Sequence, residues 1–405
     1  MYQIRVDGWP TLGEDAIRKL RLNSPVGGWF PALQELDWCI TSSNLPYANL
    51  FFSPHLKRIY LSAVQRSELL RNDRPAITSA ISALPASALQ LLSVDNDDQE
   101  AIWLHFGDSF SSVALHCGSS LKEFTCLAPM SEAAVNHLVQ LPNLCTWHVK
   151  GPPPSYSTSH LSLIFPPLTK LTLGGDAVCG WLSLFGCLEH HVPSTQGLTP
   201  LSKLKESLES LNIEHFPDPI IDASFAAQIQ IFQNLVCLSV GASCQKKSSQ
   251  CAFKLDDDNV TKLAIALSQL EDLHLGDPCF NNTCTTTVTC LLSISIHCVK
   301  LQTLGIHFNT TSIVDDLKSI SKDPKFQELS LLPRCAASTL YVYQMPLALN
   351  GPDLEIVVNG MINIFPSLEY CEGCDWIWGK LSERIRDINT PGMLLVSISF
   401  DFPFD

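Results

Sequence analysis

Charge is scarce in this sequence, and positive charge scarcer still. Only 16 % of the 405 residues are charged, and 26 Lys and Arg stand against 40 Asp and Glu, a net charge of −14. A nucleic-acid surface needs clustered Lys and Arg against phosphate, so no nucleic-acid partner is expected. Long apolar runs are missing too. Met393-Leu-Leu-Val-Ser-Ile-Ser-Phe400 is far shorter than the ~20 residues of a membrane helix and carries Ser. The stretch Met1 to Pro10 has no apolar core of the secretory kind. The expectation is a cytoplasmic or nuclear chain with no membrane partner. Disorder is excluded by the 46 % of apolar residues, which suffice for a large core. In a reducing compartment the 16 Cys read as buried small hydrophobes rather than disulfides.

Reaction motifs are equally thin. There is no G-x-S-x-G elbow and no G-x-G-x-x-G loop. Gly379-Lys380 resembles the end of a phosphate loop, but Cys374 stands where its first Gly belongs and Leu381 where Ser or Thr belongs. Cys371-Glu-Gly-Cys374 has no second ligand pair for zinc and no thioredoxin-like context. Cys145 with His148, and Cys187 with His190 and His191, place a thiol three or four residues from an imidazole. Both read as core or surface residues rather than a metal site. Neither a catalytic residue nor a cofactor or metal ligand is assigned. A hydrolase or metal enzyme assembled from distant residues is the alternative.

What is present is a repeat. Leu33-Gln-Glu-Leu36-Asp-Trp38 has apolar residues at its first, fourth and sixth positions, and so do segments opening at Leu56, Leu89, Leu121, Leu144, Leu168, Leu208, Leu235, Leu270, Leu301 and Phe326. Leu368 opens a degenerate twelfth copy. Intervals run irregularly from 23 to 42 residues. The fifth position is never aliphatic; it holds Asp37, Tyr60, Thr125, His148, Asn212 and His274, among others. Apolar, polar, apolar is the period of a strand with one buried face. Pro31, Pro54, Pro142, Pro166, Pro324 and Pro366 each stand two residues before an opening residue. Proline cannot continue a helix and biases its predecessor toward extended backbone, so it separates helix from strand.

The intervening segments carry helical stripes. Val260, Leu263, Ala264 and Leu267 follow possible caps at Asp257, Asp258 or Asn259. Ser131 precedes Ala134, Val135, Leu138 and Val139, and Ile313, Leu317 and Ile320 form a third stripe. Alternating strand and helix at this spacing predict an α/β leucine-rich-repeat solenoid of irregular type. It would be a horseshoe with a parallel concave sheet and convex helices, where stacking buries what one repeat cannot. The expected organisation is a capping segment over 1–32, repeats over 33–370 and a C-terminal cap over 371–405. The Asn or Cys usual at the ninth position is mostly absent, with Asn309 the only Asn. The concave face would carry Asp37, Tyr60, Thr125, His148, Asn212, His274 and His307, a candidate surface for a protein partner whose identity the sequence leaves open. Tyr60 and the three histidines are the side chains suited to anchoring contacts.

Leu12-Gly-Glu-Asp-Ala-Ile17, Pro31-Ala-Leu-Gln-Glu-Leu-Asp-Trp38 and Phe51-Phe-Ser-Pro-His-Leu-Lys57, with the irregular Leu-x-x-Leu-x-Leu segments, resemble the fungal F-box/leucine-rich-repeat proteins. The resemblance implies a substrate receptor of a cullin-type ubiquitin ligase, whose F-box docks the ligase adaptor while the repeats capture substrate. The sequence departs from the family before Leu33, where no Leu-Pro-x-Glu opening or F-box helices occur. A single short helix over 15–22 is expected there. Adaptor binding is therefore expected only if an F-box is supplied upstream, and the alternative is a free-standing repeat scaffold with no ligase link.

Overall fold

The computed structural model describes residues 3–6, 19, 30–40, 51–63, 74–94, 104–149, 167–174, 204–216, 220–242, 252–276, 284–322, 324, 334–343, 349, 351–373 and 376–389. In chain order the strands are β1 Gln3–Val6, β2 Glu35–Ile40, β3 Arg58–Ala63, β4 Leu91–Val94, β5 Glu123–Cys126, β6 Thr146–Val149, β7 Lys170–Leu173, β8 Ser210–Phe216, β9 Ile220–Ile221, β10 Cys237–Ala242, β11 Ala252–Phe253, β12 Asp272–Leu275, β13 Thr303–Ile306, β14 Thr339–Val342 and β15 Tyr370–Gly373. The α-helices are α1 Arg74–Ser82, α2 Gly107–His116, α3 Glu132–Leu138, α4 Ala223–Ile229, α5 Asp257–Ala266, α6 Val288–His297, α7 Ile313–Lys322, α8 Gly351–Ile364 and α9 Trp376–Asn389.

The chain divides into two units, Met1–Pro219 with Ala227–Cys251, and Ile220–Ala226 with Ala252–Asp405. In the first, β1 to β8 and β10 pair in parallel and in chain order. In the second, β12 to β15 do the same, and β9 and β11 form a separate parallel pair. Parallel neighbours need a crossover of a dozen or more residues. Helices supply it: α1, α2 and α3 precede β4, β5 and β6, and α6, α7 and α8 precede β13, β14 and β15. This is the predicted α/β leucine-rich-repeat-like solenoid, built of parallel strands and connecting helices.

Register follows the repeat. In the first unit the fourth-position residues Leu36, Ile59, Leu92, Phe124, Trp147, Leu171, Leu211 and Leu238 lie side by side across the ladder, all buried. The opening leucines from Leu33 to Leu235 are buried as well. A full burial of this kind is worth roughly 1.5–3 kcal/mol per side chain, so the rows dominate the fold's stability. The backbone repeats with equal regularity. Within each unit the second-position carbonyl of one repeat accepts two N–H groups from the next: Lys57 and Arg58 donate to Gln34, Lys122 and Glu123 to Gln90, and Gln302 and Thr303 to Glu271.

That hydrogen-bond signature locates a repeat that the leucine pattern hid. Ser338 and Thr339 donate to Gln302, and Glu369 and Tyr370 donate to Ser338. The repeat after Leu301 therefore opens at Ala337, with Leu340 and Val342 inward and buried. The Phe326/Leu329/Leu331 segment lies outside the described residues, and the place beside β13 belongs to β14. The degenerate copy at Leu368 is a strand, with Leu368 and Cys371 buried. At the other edge β1 pairs with β2, a strand the sequence did not signal. Of the expected helix over 15–22, only Lys19 is among the described residues, and it is helical.

Caps and stripes bear out the helical segments. Ser131 caps α3 through its side chain, and Ala134, Val135 and Leu138 are buried. For α5 the cap is Asp256, one residue before the expected three, accepting from the N–H of Asn259 at 2.8 Å. Asp257 instead reaches the next repeat, where its carboxylate accepts from the N–H and hydroxyl of Thr287, the cap of α6. Ties between neighbouring turns come from Asn just before an opening leucine. Asn143 and Asn234 donate to the carbonyls of Ser119 and Glu206 in the preceding repeat. In the repeats opening at Leu144 and Leu235, the tie comes from Asn one residue before the first position.

Candidate binding face

Period-2 alternation sends the third and fifth residues of each repeat away from the buried rows. In the first unit the fifth-position row runs Asp37, Tyr60, Ser93, Thr125, His148, Thr172, Asn212 and Ser239, each in register with the next. All are partly exposed. The tertiary structure thus brings five of the seven candidate residues into one line on adjacent strands. Two local clusters break up the hydroxyl-rich row. Tyr60 sits among Glu35, Asp37 and Glu123, and its phenol is pushed up by partial burial and then by these carboxylates, against the opposing pull of Arg58. Arg58 itself lies 3.6 Å from Glu35. Farther along, His148 Nε2 is 3.8 Å from Glu214 Oε2, while Glu214 Oε1 accepts from Asn212 at 2.9 Å. This group spans β6 to β8 above Thr172 of the intervening β7.

In the second unit the fifth-position row reads His274, Gly305, Tyr341 and Glu372. His274 Nδ1 and Tyr343 Oη share a hydrogen bond 2.7 Å long. The bond passes over β13 because Gly305 stands there: a Cβ at that position would lie 2.4 Å from both of these atoms. The His274 ring is 5.5 Å from Tyr341 and 6.4 Å from Tyr343, centre to centre. Burial lowers the pKa of His274, with Asp272 acting the other way. The imidazole is therefore a neutral hydrogen-bonding group near pH 7.

His307 was expected on the open face, and the structure places it elsewhere. It is 3 % exposed, its ring 5.4 Å from Phe253 and 5.5 Å from Tyr343. Gly276, at φ +99°, makes the room, since a Cβ there would meet the His307 ring at 2.5 Å. His307 is therefore packed against Phe253 and Tyr343 instead of standing open to solvent. Sequence reasoning missed Tyr341 and Tyr343 because the Ala337 repeat opens on a small residue, and it left out Glu372, the fifth position of the degenerate copy at Leu368. The available signal was the alternation Leu340-Tyr341-Val342.

No family model matches the chain, and no curated protein does. Among solved structures the chain is similar to one in the crystal structure of a Rad7 and Elc1 complex in yeast. The TM-score is 0.39 at 14 % identity, over 84 % of this chain and 75 % of that one.

The thiols are structural in character. Burial pushes Cys117, Cys126, Cys298 and Cys371 up to about 12 and Cys335 to about 11. Such groups stay protonated, whereas nucleophiles and metal ligands act as thiolates. Cys145 donates to the Lys122 carbonyl at 3.3 Å, away from the His148 contact with Glu214. Cys187, His190, His191 and Cys374 lie outside the described residues. Among the described residues no three His, Cys, Asp or Glu side chains converge as a metal site. No helix among them is long and apolar enough to cross a membrane.

Proposed function

We propose that this chain is a non-enzymatic protein-interaction module whose partner docks on the outward face of the strand ladders. The observation that carries the reading is the composition of that face. Tyr60, His148, His274 and Tyr341 are partly exposed on strands whose other side is packed into the core. Aromatic and imidazole groups on a rigid support lose little entropy on binding and make good anchors. Asp37, Thr125 and Asn212 lie in the first unit's row with Tyr60 and His148 and complete its polar surround. The resemblance of the N-terminal repeats to F-box/leucine-rich-repeat proteins extends the proposal. The ladders would read substrates for a ubiquitin ligase in the cytoplasm or nucleus, with the adaptor recruited through an F-box supplied upstream of the repeats.

The test is quantitative cross-linking capture in cells, comparing the native chain with Tyr60→Ala and Tyr341→Ala, each first checked for native melting behaviour. A partner recovered with the native chain should fall by tenfold or more with at least one variant. Capture indifferent to both variants would overturn the docking face. The ligase extension is decided separately, by binding of purified adaptor to the chain with and without an upstream F-box segment. Adaptor binding only with the segment supports the receptor. No binding in either case leaves a free-standing scaffold.

A further inference from the structure

We infer that the outward ladder face of the second unit recognises basic side chains, Lys or Arg, on an extended segment of its protein partner. This rests on the docking reading above and adds the chemistry of the partner. The strands β12 to β15 contain no Lys or Arg. Their outward positions instead hold two carboxylates, Asp272 and Glu372, on the first and last strands. On the intervening β14 stands Tyr341, its ring tilted at 42° to that of His274 and 5.5 Å away, and on β15 beside Glu372 stands Tyr370, which is 39 % exposed. Tyr370 donates to Glu372 at 3.2 Å, which holds one carboxylate at the phenol end of an exposed ring. An aromatic face next to a carboxylate suits a cation, which gains from the ring quadrupole and from the opposite charge together.

The first unit differs in carrying cations on its strands. There Glu35 already has Arg58 at 3.6 Å, and Lys170 stands on β7, so that face supplies its own cations. In the second unit the cation that acts on Tyr370 comes from α9, through Arg386, and not from a strand. The net charge of −14 favours approach by a basic partner at long range. Spacing adds a further constraint. Three strand steps of about 4.8 Å and a two-residue offset put the Asp272 and Glu372 backbones roughly 16 Å apart. An extended chain covers that span in about five residues, so the fitting segment carries two basic residues four or five apart.

The experiment is fluorescence anisotropy on the full chain with a labelled Gly/Ser peptide carrying two Arg residues five apart, and with matched peptides carrying Gln or Glu. Binding of the Arg peptide alone is expected. It should weaken about tenfold or more with Tyr341→Ala and with Glu372→Lys, and should vanish at about 1 M salt, where the Debye length is about 3 Å. Glu383→Lys, an exposed site on α9 that changes the net charge equally, should leave binding unchanged. Equal binding of the Gln peptide, or an equal loss with Glu383→Lys, overturns the inference. So does a loss confined to Asp37→Asn in the first unit. If the cross-linked partner is still lost with Tyr341→Ala while no Arg peptide binds, the docking face stands and this inference alone fails.

Discussion

An alanine at Gly305 should unseat the His274–Tyr343 pair, although it adds one methyl group to an ordinary strand. The new Cβ would lie 2.4 Å from His274 Nδ1, 2.4 Å from Tyr343 Oη and 2.8 Å from Tyr343 Cζ. Neither ring yields freely: Tyr343 is against His307, and His274 is against Tyr341. Gly305 does not occupy the left-handed region, so alanine brings no backbone strain and the cost is steric. Overpacking of this kind costs about 1–3 kcal/mol, and the lost hydrogen bond about 1 kcal/mol more. The expected loss is about 2–4 kcal/mol, read as a lower urea midpoint at unchanged slope by tryptophan fluorescence. The attribution is tested by repeating Gly305→Ala in a chain already carrying His274→Ala and Tyr343→Ala. With the obstructing rings removed, the cost should drop below about 1 kcal/mol, a coupling well above the additive range. The same cost in both backgrounds would refute the steric account and move the origin of the effect to the strand itself.

Leu238→Ala, in the middle of a buried row, should cost roughly 2–5 kcal/mol as a cavity; a loss under 1 kcal/mol by urea denaturation would contradict its place in the core. His274 contributes a pH dependence whose sign is set by its lowered pKa. Between that value and the unfolded value of about 6.5, the unfolded chain binds more protons than the folded one. Stability is then full above about pH 6.5 and falls as the pH drops toward the folded pKa. His274→Gln should flatten the change in urea midpoint over that window, and an unchanged slope would count against the assignment. Cys117, Cys126, Cys298 and Cys371, all raised to about 12 by burial, behave oppositely. Their contribution is full below about pH 8.5 and is lost as the pH rises toward 12. Iodoacetamide at pH 8 should leave these four unlabelled in native protein and label them in urea, as peptide mapping would show.

The sequence alone determined the strand-and-helix alternation, the inward rows and most strand positions. The reason is that burial on one face enforces a period of two and proline stops each helix before the next strand. Leu171, Leu238 and Leu273 are buried in strands as that pattern requires. It hid the repeat at Ala337, where a small opening residue broke the leucine rule, and β1, which carries no such rule. Which outward side chains meet was beyond its reach. Register had to set His148 near Glu214 across an intervening strand. His307 shows the limit most plainly. Its spacing alone places it on the open face, yet Phe253, 54 positions earlier in the chain, and a positive-φ Gly276 take its ring out of solvent. Local periodicity assigns a side chain to a face, but only packing between distant segments decides whether that face stays open.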